Sequence, residues 1–192
     1  MTPLLFMLSL AFADASPQEW PYYIAPCTKA DAASGCQSGD PELAVLALNA
    51  WEKAAEGKLK LRRVDDPLAA RLQVMWASQF GGLYGEAEPV LINGRPGVRL
   101  NIRPVGRNVS DPLLRDVMVY LTVLHESGHG FGLRHTRDFA DIMYSFQYGG
   151  DLAEYFARYR RKLASRADFP KHSAIAAGDL AQLRAILAAK LP

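Results

Sequence analysis

His125, Glu126, His129 and His135 are of the residue types that hold a transition metal and move a proton beside it. His125 and His129 stand four residues apart, so on a helix they rise one above the other on a single face. Two imidazoles placed that way can each reach one zinc ion at about 2.0–2.1 Å. Glu126 is rotated one helical step from that face, close enough to touch a water on the metal without ligating it. His135 lies six residues beyond His129, and an unbroken helix would carry it about 9 Å further along the axis and off the face. The chain must therefore leave the helix and turn back for His135 to join the pair. Gly132 stands where that turn is needed, because glycine enters the left-handed conformation cheaply at a helix C-terminus.

The complete string reads H-E-x-x-H-x-x-G-x-x-H, with Met143 eight residues after His135 in the run Asp141, Ile142, Met143, Tyr144. On these residues the chain resembles the metzincin metalloproteases, and most closely the matrixins. The resemblance implies zinc ligands at His125, His129 and His135, a general base at Glu126, and Met143 in the turn that underlies the zinc. Thr136 stands where astacins carry Glu, and Ser145 where astacins and serralysins carry a ligating Tyr, so both positions favour the matrixin branch. The implied function is a zinc-dependent endopeptidase with protein or peptide substrates and one catalytic zinc. Three neutral imidazoles with an open fourth position suit a catalytic rather than a structural ion.

The implied fold is α+β, with a twisted, mostly parallel sheet, an antiparallel edge strand, a central zinc-binding helix and C-terminal helices. An extended substrate would add as a strand along the edge at residues 83–88, which makes Leu83, Tyr84 and Gly85 candidate substrate contacts. Tyr144 either lines the pocket or packs beside the turn. The departures from the family narrow what carries over. A second, structural zinc would need three more histidines, and only His172 is left; calcium is neither required nor excluded. The segment 146–173 is longer than its matrixin counterpart and carries its own helix, so substrate preference does not transfer. Cys36 lacks the surrounding masking motif of a propeptide cysteine, and no conventional propeptide is expected. The rival reading is an exported zinc-binding or inhibitor-binding protein with little or no turnover, although a pure binder has no need of Glu126. A narrower alternative is a processing protease for one partner, made selective by a helix at 151–166.

These groups must be held by the surrounding elements. Residues 20–25 are aromatic and β-branched enough for a first strand. Asp40-Pro41 predicts a helix start with Asp40 as N-cap, followed by an apolar face of Leu43, Leu46, Ala47, Ala50 and Trp51. Alternation at Leu59/Leu61, at Leu72/Val74/Trp76 and at Val98/Leu100/Ile102 predicts three half-buried strands. Between the last two, residues 81–85 suggest a loop entering a short, irregular edge strand. Asp111-Pro112 opens the helix that carries the histidines, and residues 117–124 are apolar nearly all round, so that helix is expected at the centre. Asp151 and Glu154 resemble a capping box for a further helix with Leu152, Tyr155, Phe156, Tyr159 and Leu163 on its apolar face. A last helix from about Asp179 to Leu187 closes the chain.

At 192 residues, 49% hydrophobic and 22% charged, the chain has room for one ordinary domain, expected over 16–192 and as a monomer. The formal charge of +2 provides no field to drive nucleic-acid binding, and no apolar run is long enough to span a membrane. Residues 1–15 read as a signal peptide: an apolar run, then an A-x-A site at Ala11/Ala13 or Ala13/Ala15, although no Lys or Arg precedes the run. The alternative is an apolar N-terminal element of the fold. Export to the periplasm or beyond agrees with Cys27 and Cys36, close enough in sequence for a local disulfide; two unrelated buried thiols are the other reading.

Overall fold

Alternating burial builds one sheet. A computed structural model describes residues 16–27, 34–78, 84–104 and 109–189. Its strands are β1 (Gln18–Ile24), β2 (Leu59–Arg63), β3 (Leu72–Trp76), β4 (Gly85–Ile92) and β5 (Arg95–Ile102). They run in the order β2-β1-β3-β5-β4, parallel throughout except for β4, which pairs antiparallel with β5. The helices are α1 (Asp40–Ala54), α2 (Pro112–Phe131), α3 (Leu152–Arg160) and α4 (Ala177–Ala189). This is an α+β fold with a mostly parallel five-stranded sheet and an antiparallel edge. None of the described helices is long and apolar enough to cross a membrane.

Trp20, Tyr22 and Ile24 of β1, Leu72 and Val74 of β3, and Leu100 and Ile102 of β5 are buried in one core with α1 and α2. Helix α2 is buried all round from Val117 to Leu124, as its unbroken apolar run requires. Asp111 caps it, accepting from the Leu113 and Leu114 amides at 2.9 and 3.2 Å. Parallel neighbours ordinarily need a crossover of a dozen or more residues. Yet β2 and β3 are joined by a shorter link, because β2 pairs with β1 up to Tyr22 and β3 begins pairing there. The link steps across β1 at that level, with Val64 donating to the Tyr22 carbonyl and Arg71 to that of Pro21.

Three expectations are corrected. The edge strand is neither short nor irregular: β4 pairs along its whole length with β5, from Gly85↔Ile102 to Ile92↔Arg95. The reason is the two-residue turn Asn93-Gly94, where both residues have positive φ (49° and 74°), a hairpin turn whose twist matches the strands. Asp40 does not cap α1. Gly39 occupies that position, and the fully buried Asp40 carboxylate instead pairs with Arg115 of α2 and accepts from the Gln37 amide. The third helix stops at Arg160; Leu163 is buried beyond its end and a 3-10 turn, Arg166–Lys171, follows. Asp151 caps it alone, because Glu154 turns away to pair with Arg161. A disulfide joins Cys27 and Cys36, with Cα atoms 5.7 Å apart, and ties the end of β1 to the approach of α1. The proposed leader, 1–15, lies outside the described residues.

Candidate metal centre and cleft

Helix α2 ends at Phe131, just past His129. Gly132 adopts φ 104°, its amide donates to the His129 carbonyl at 2.9 Å, and the Leu133 amide closes onto the Gly128 carbonyl at 2.9 Å. The chain then reverses and brings His135 back over the helix end. His135 Nε2 lies 3.2 Å from His125 Nε2 and 3.1 Å from His129 Nε2.

The other ring nitrogen decides what those atoms can do. His125 Nδ1 lies 2.7 Å from the Ile142 carbonyl, and His129 Nδ1 lies 2.9 Å from the Leu133 carbonyl. A carbonyl only accepts, so both Nδ1 atoms carry the proton and both Nε2 atoms present a lone pair. Lone pairs aimed at one another repel unless a cation lies between them. A tetrahedral ion with bonds of about 2.0–2.1 Å sets its ligand nitrogens about 3.3–3.4 Å apart, close to the separations seen. Two imidazoles with carbonyl-anchored tautomers, and a third whose Nε2 lies against both, therefore fit zinc in both donor type and geometry. Burial holds the His125 imidazole down at about 4, against an ordinary 6.5, and burial also lowers His135, each with help from neighbouring histidines. Both rings are thus neutral, as ligands must be.

Beneath the histidines, Met143 is fully buried and abuts Gly128, where a methyl group would collide with the methionine sulfur and come within 3.1 Å of Trp51. The Trp51 indole donates to the Leu124 carbonyl at 2.9 Å, fastening α1 to the same turn of α2. The segments after His135 are sewn together by Thr136 N–H donating to the Met143 carbonyl at 2.8 Å and Ser145 N–H donating to the Thr136 carbonyl at 3.2 Å. Helix α4 clasps both. The buried Asp179 carboxylate accepts from the amides of Ile142 (2.8 Å), Met143 (3.1 Å) and Ala176 (2.9 Å). The Gln182 side chain accepts from the Arg134 amide and donates to the Arg134 carbonyl.

Glu126 sits on the cleft side of α2, 8% exposed, and burial together with the nearby Glu86 pushes its carboxyl up to about 7. The Ala87 amide of β4 donates to it, and the Arg103 guanidinium opposes the rise. Gly85 permits this approach, because a methyl there would stand 2.7 Å from Glu126 Cγ and from Thr122 Cγ2. A cavity of about 520 Å³ opens beside the histidines. Tyr84, Gly85 and Ala87 line it together with Leu121 and Thr122 of α2. Tyr144, Phe146 and Leu152, Tyr155 and Phe156 of α3 complete the lining, and the Phe156 ring meets that of Tyr84 edge-on at 5.6 Å. Tyr144 lines this cavity while its hydroxyl donates to the Gly149 carbonyl at 2.9 Å.

Among the residues singled out in the sequence, the three histidines, Glu126, Gly132, Met143, Tyr84, Gly85 and Tyr144 come together here; Leu83 lies outside the described residues. Sequence reasoning missed the carbonyls of Ile142 and Leu133, which have no residue signature. It also missed the Asn-Gly turn that lays β4 against Glu126, a signal that was present in the chain. A second group of possible ligands, Cys27, Cys36 and Asp40, offers no thiolate, because its sulfurs are bonded to each other.

No protein-family model matches the chain, and no curated sequence does. Among solved structures it is similar to the crystal structure of archaemetzincin from Methanopyrus kandleri, at 16% sequence identity and a TM-score of 0.47, over 92% of this chain and 99% of that one.

Proposed function

We propose that this chain is a zinc-dependent endopeptidase, with His125, His129 and His135 as the metal ligands and Glu126 as the general base. The observation that carries the proposal is the convergence of the three Nε2 atoms beside a buried carboxylate at the floor of a peptide-sized cleft. Zinc held there supplies Lewis acidity, which makes water a nucleophile near neutral pH and polarises a carbonyl. The chain's own groups do the rest. Glu126 takes the water's proton at a carboxylate oxygen and passes it to the departing amine, a transfer suited to a carboxyl whose proton affinity is raised. The Ala87 amide holds that carboxylate in place. Strand β4 ends the sheet, so its outer edge can accept an extended peptide as a further strand beside Glu126. Side chains of that peptide would enter the cavity lined by Tyr84 and α3.

Within zinc peptidases, the string His125–His135 with Thr136 and Ser145 supports the matrixin branch. The Cys27–Cys36 bridge supports an exported protein, since such bonds persist in oxidising compartments. Metal analysis and cleavage of a peptide library test the proposal. Glu126→Ala should keep stoichiometric zinc and lose about 10²–10⁴-fold in cleavage rate. Wild-type cleavage by that variant would overturn the mechanism, and a wild-type protein that holds zinc but cleaves no peptide would favour the binding reading.

A further inference from the structure

We infer that Tyr155 is a positioning residue for the metal centre: its hydroxyl, delivered by α3, steadies the carbonyl that orients His125. The inference rests on the zinc reading above and extends it to an element outside the histidine string. Tyr155 Oη donates to the Ile142 carbonyl at 3.0 Å, the same oxygen that accepts from His125 Nδ1 at 2.7 Å. A carbonyl oxygen has two lone pairs, so the two donors share it without competing for one position. The Asp141 carbonyl lies 3.4 Å from the same hydroxyl.

Tyr155 has little freedom to leave. It is 4% exposed, its ring meets those of Phe139, Phe146 and Phe156 edge-on at 5.2–5.7 Å between centroids, and the Arg158 guanidinium lies 4.4 Å above it. Arg158 in turn donates to the carbonyls of Phe139 and Ala140, which fixes the strand of chain leading into Ile142. The Ile142 peptide is therefore held from two sides. Asp179 of α4 accepts from the Met143 N–H, which shares a peptide plane with the Ile142 carbonyl, and Tyr155 of α3 donates to that carbonyl's oxygen. With both bonds made the carbonyl cannot rotate, and His125 keeps Nε2 aimed at the other two imidazoles. Tyr155 also lines the cavity, so a side chain seated there bears on the residue that holds the metal ligand.

Tyr155→Phe removes one oxygen and keeps the ring. Tyr159 provides the control: one turn further along α3, equally buried, its hydroxyl donates to the His172 carbonyl at 2.7 Å and makes no bond to His125, His129 or His135 or to the carbonyls that anchor them. Zinc dissociation constants come from competition with a chromophoric chelator. We expect Tyr155→Phe to raise the constant by about tenfold and Tyr159→Phe to leave it unchanged. The absorption spectrum of the cobalt-substituted protein should shift in the first variant alone. In metal-free protein the His125 Nδ1–H resonance should also move in Tyr155→Phe, a readout independent of zinc and of cleavage. Wild-type zinc affinity together with an unmoved His125 resonance would overturn the assignment, and so would an equal loss of affinity in Tyr159→Phe. Should the wild type bind no zinc, the endopeptidase reading fails, while the His125 resonance still decides the role of Tyr155. If Tyr155→Phe does not fold, 3-fluorotyrosine at position 155 keeps the hydroxyl but changes its acidity; an unmoved His125 resonance there would again refute the assignment.

Discussion

His125 is the residue on which most of the local structure converges. Its Nδ1 is claimed by a backbone carbonyl, its Nε2 faces His135, and burial keeps its ring uncharged down to about pH 4. That depression has a consequence for the metal-free protein. The native state binds fewer protons than the unfolded chain between the ordinary value of 6.5 and about 4. The contribution of His125 to stability is therefore complete above pH 6.5 and is lost as pH falls toward 4. Calorimetry of chelator-treated protein should show the melting temperature falling across that window, with a shallower fall in His125→Asn. A melting temperature that is flat from pH 6.5 to 4 in both would contradict the burial of this ring. The motif residues themselves were legible from spacing alone, because a four-residue interval on a helix leaves little choice of face. Which nitrogen carries the proton was not legible, since the Ile142 and Leu133 carbonyls that settle it belong to no residue type.

Elements hold the site from four directions, and only some could be foreseen. The Asp111-Pro112 start and Gly132 stop of α2 were readable as capping chemistry. The run of Asp40 and Pro41 resembled the same chemistry, yet Asp40 is consumed by a buried pair with Arg115, a contact seventy-five residues distant that no local pattern announces. Strand β4 lies flat against Glu126 because Asn93-Gly94 makes a tight hairpin and Gly85 has no side chain. Helix α4 contributes by a single carboxylate and a single amide, Asp179 and Gln182, on the two backbone segments that flank the turn. Asp179→Asn keeps the size but turns one acceptor into a donor facing an N–H. It should cost about 1–3 kcal/mol of stability and weaken zinc binding, as chemical denaturation and chelator competition would measure. Unchanged values in both would show that α4 is a bystander to the metal centre.

At the scale of the molecule, the sheet and the four helices form a frame in which His125 is anchored to a carbonyl 17 residues away. A ligand that binds only the folded frame stabilises it by mass action. Zinc at a hundredfold excess over its dissociation constant should add about 2.7 kcal/mol, or about 5–10 °C in melting temperature for a chain of this size. Differential scanning calorimetry with and without chelator checks this, and coincident curves would argue against a metal in the folded protein. The 49% hydrophobic composition and balanced charge were enough to expect a globular core. They did not foresee that β2 and β3 would flank β1 through a short link, which depends on where along β1 each strand begins to pair.

The sequence by itself determined the types of the candidate ligands, the helix that carries two of them, the glycine that turns the chain, and the position of the candidate base one step round the helix. All of these follow from helical periodicity and backbone sterics, which act over a few residues. Tertiary structure alone decided the tautomers, the clasp from α4, the fit of Gly85 against Glu126 and the shared carbonyl beneath Tyr155. Those depend on groups brought together from up to 48 positions apart, and many of them are backbone atoms that every residue possesses. Spacing can nominate side chains for chemistry, but only the folded chain can tell them which way to face.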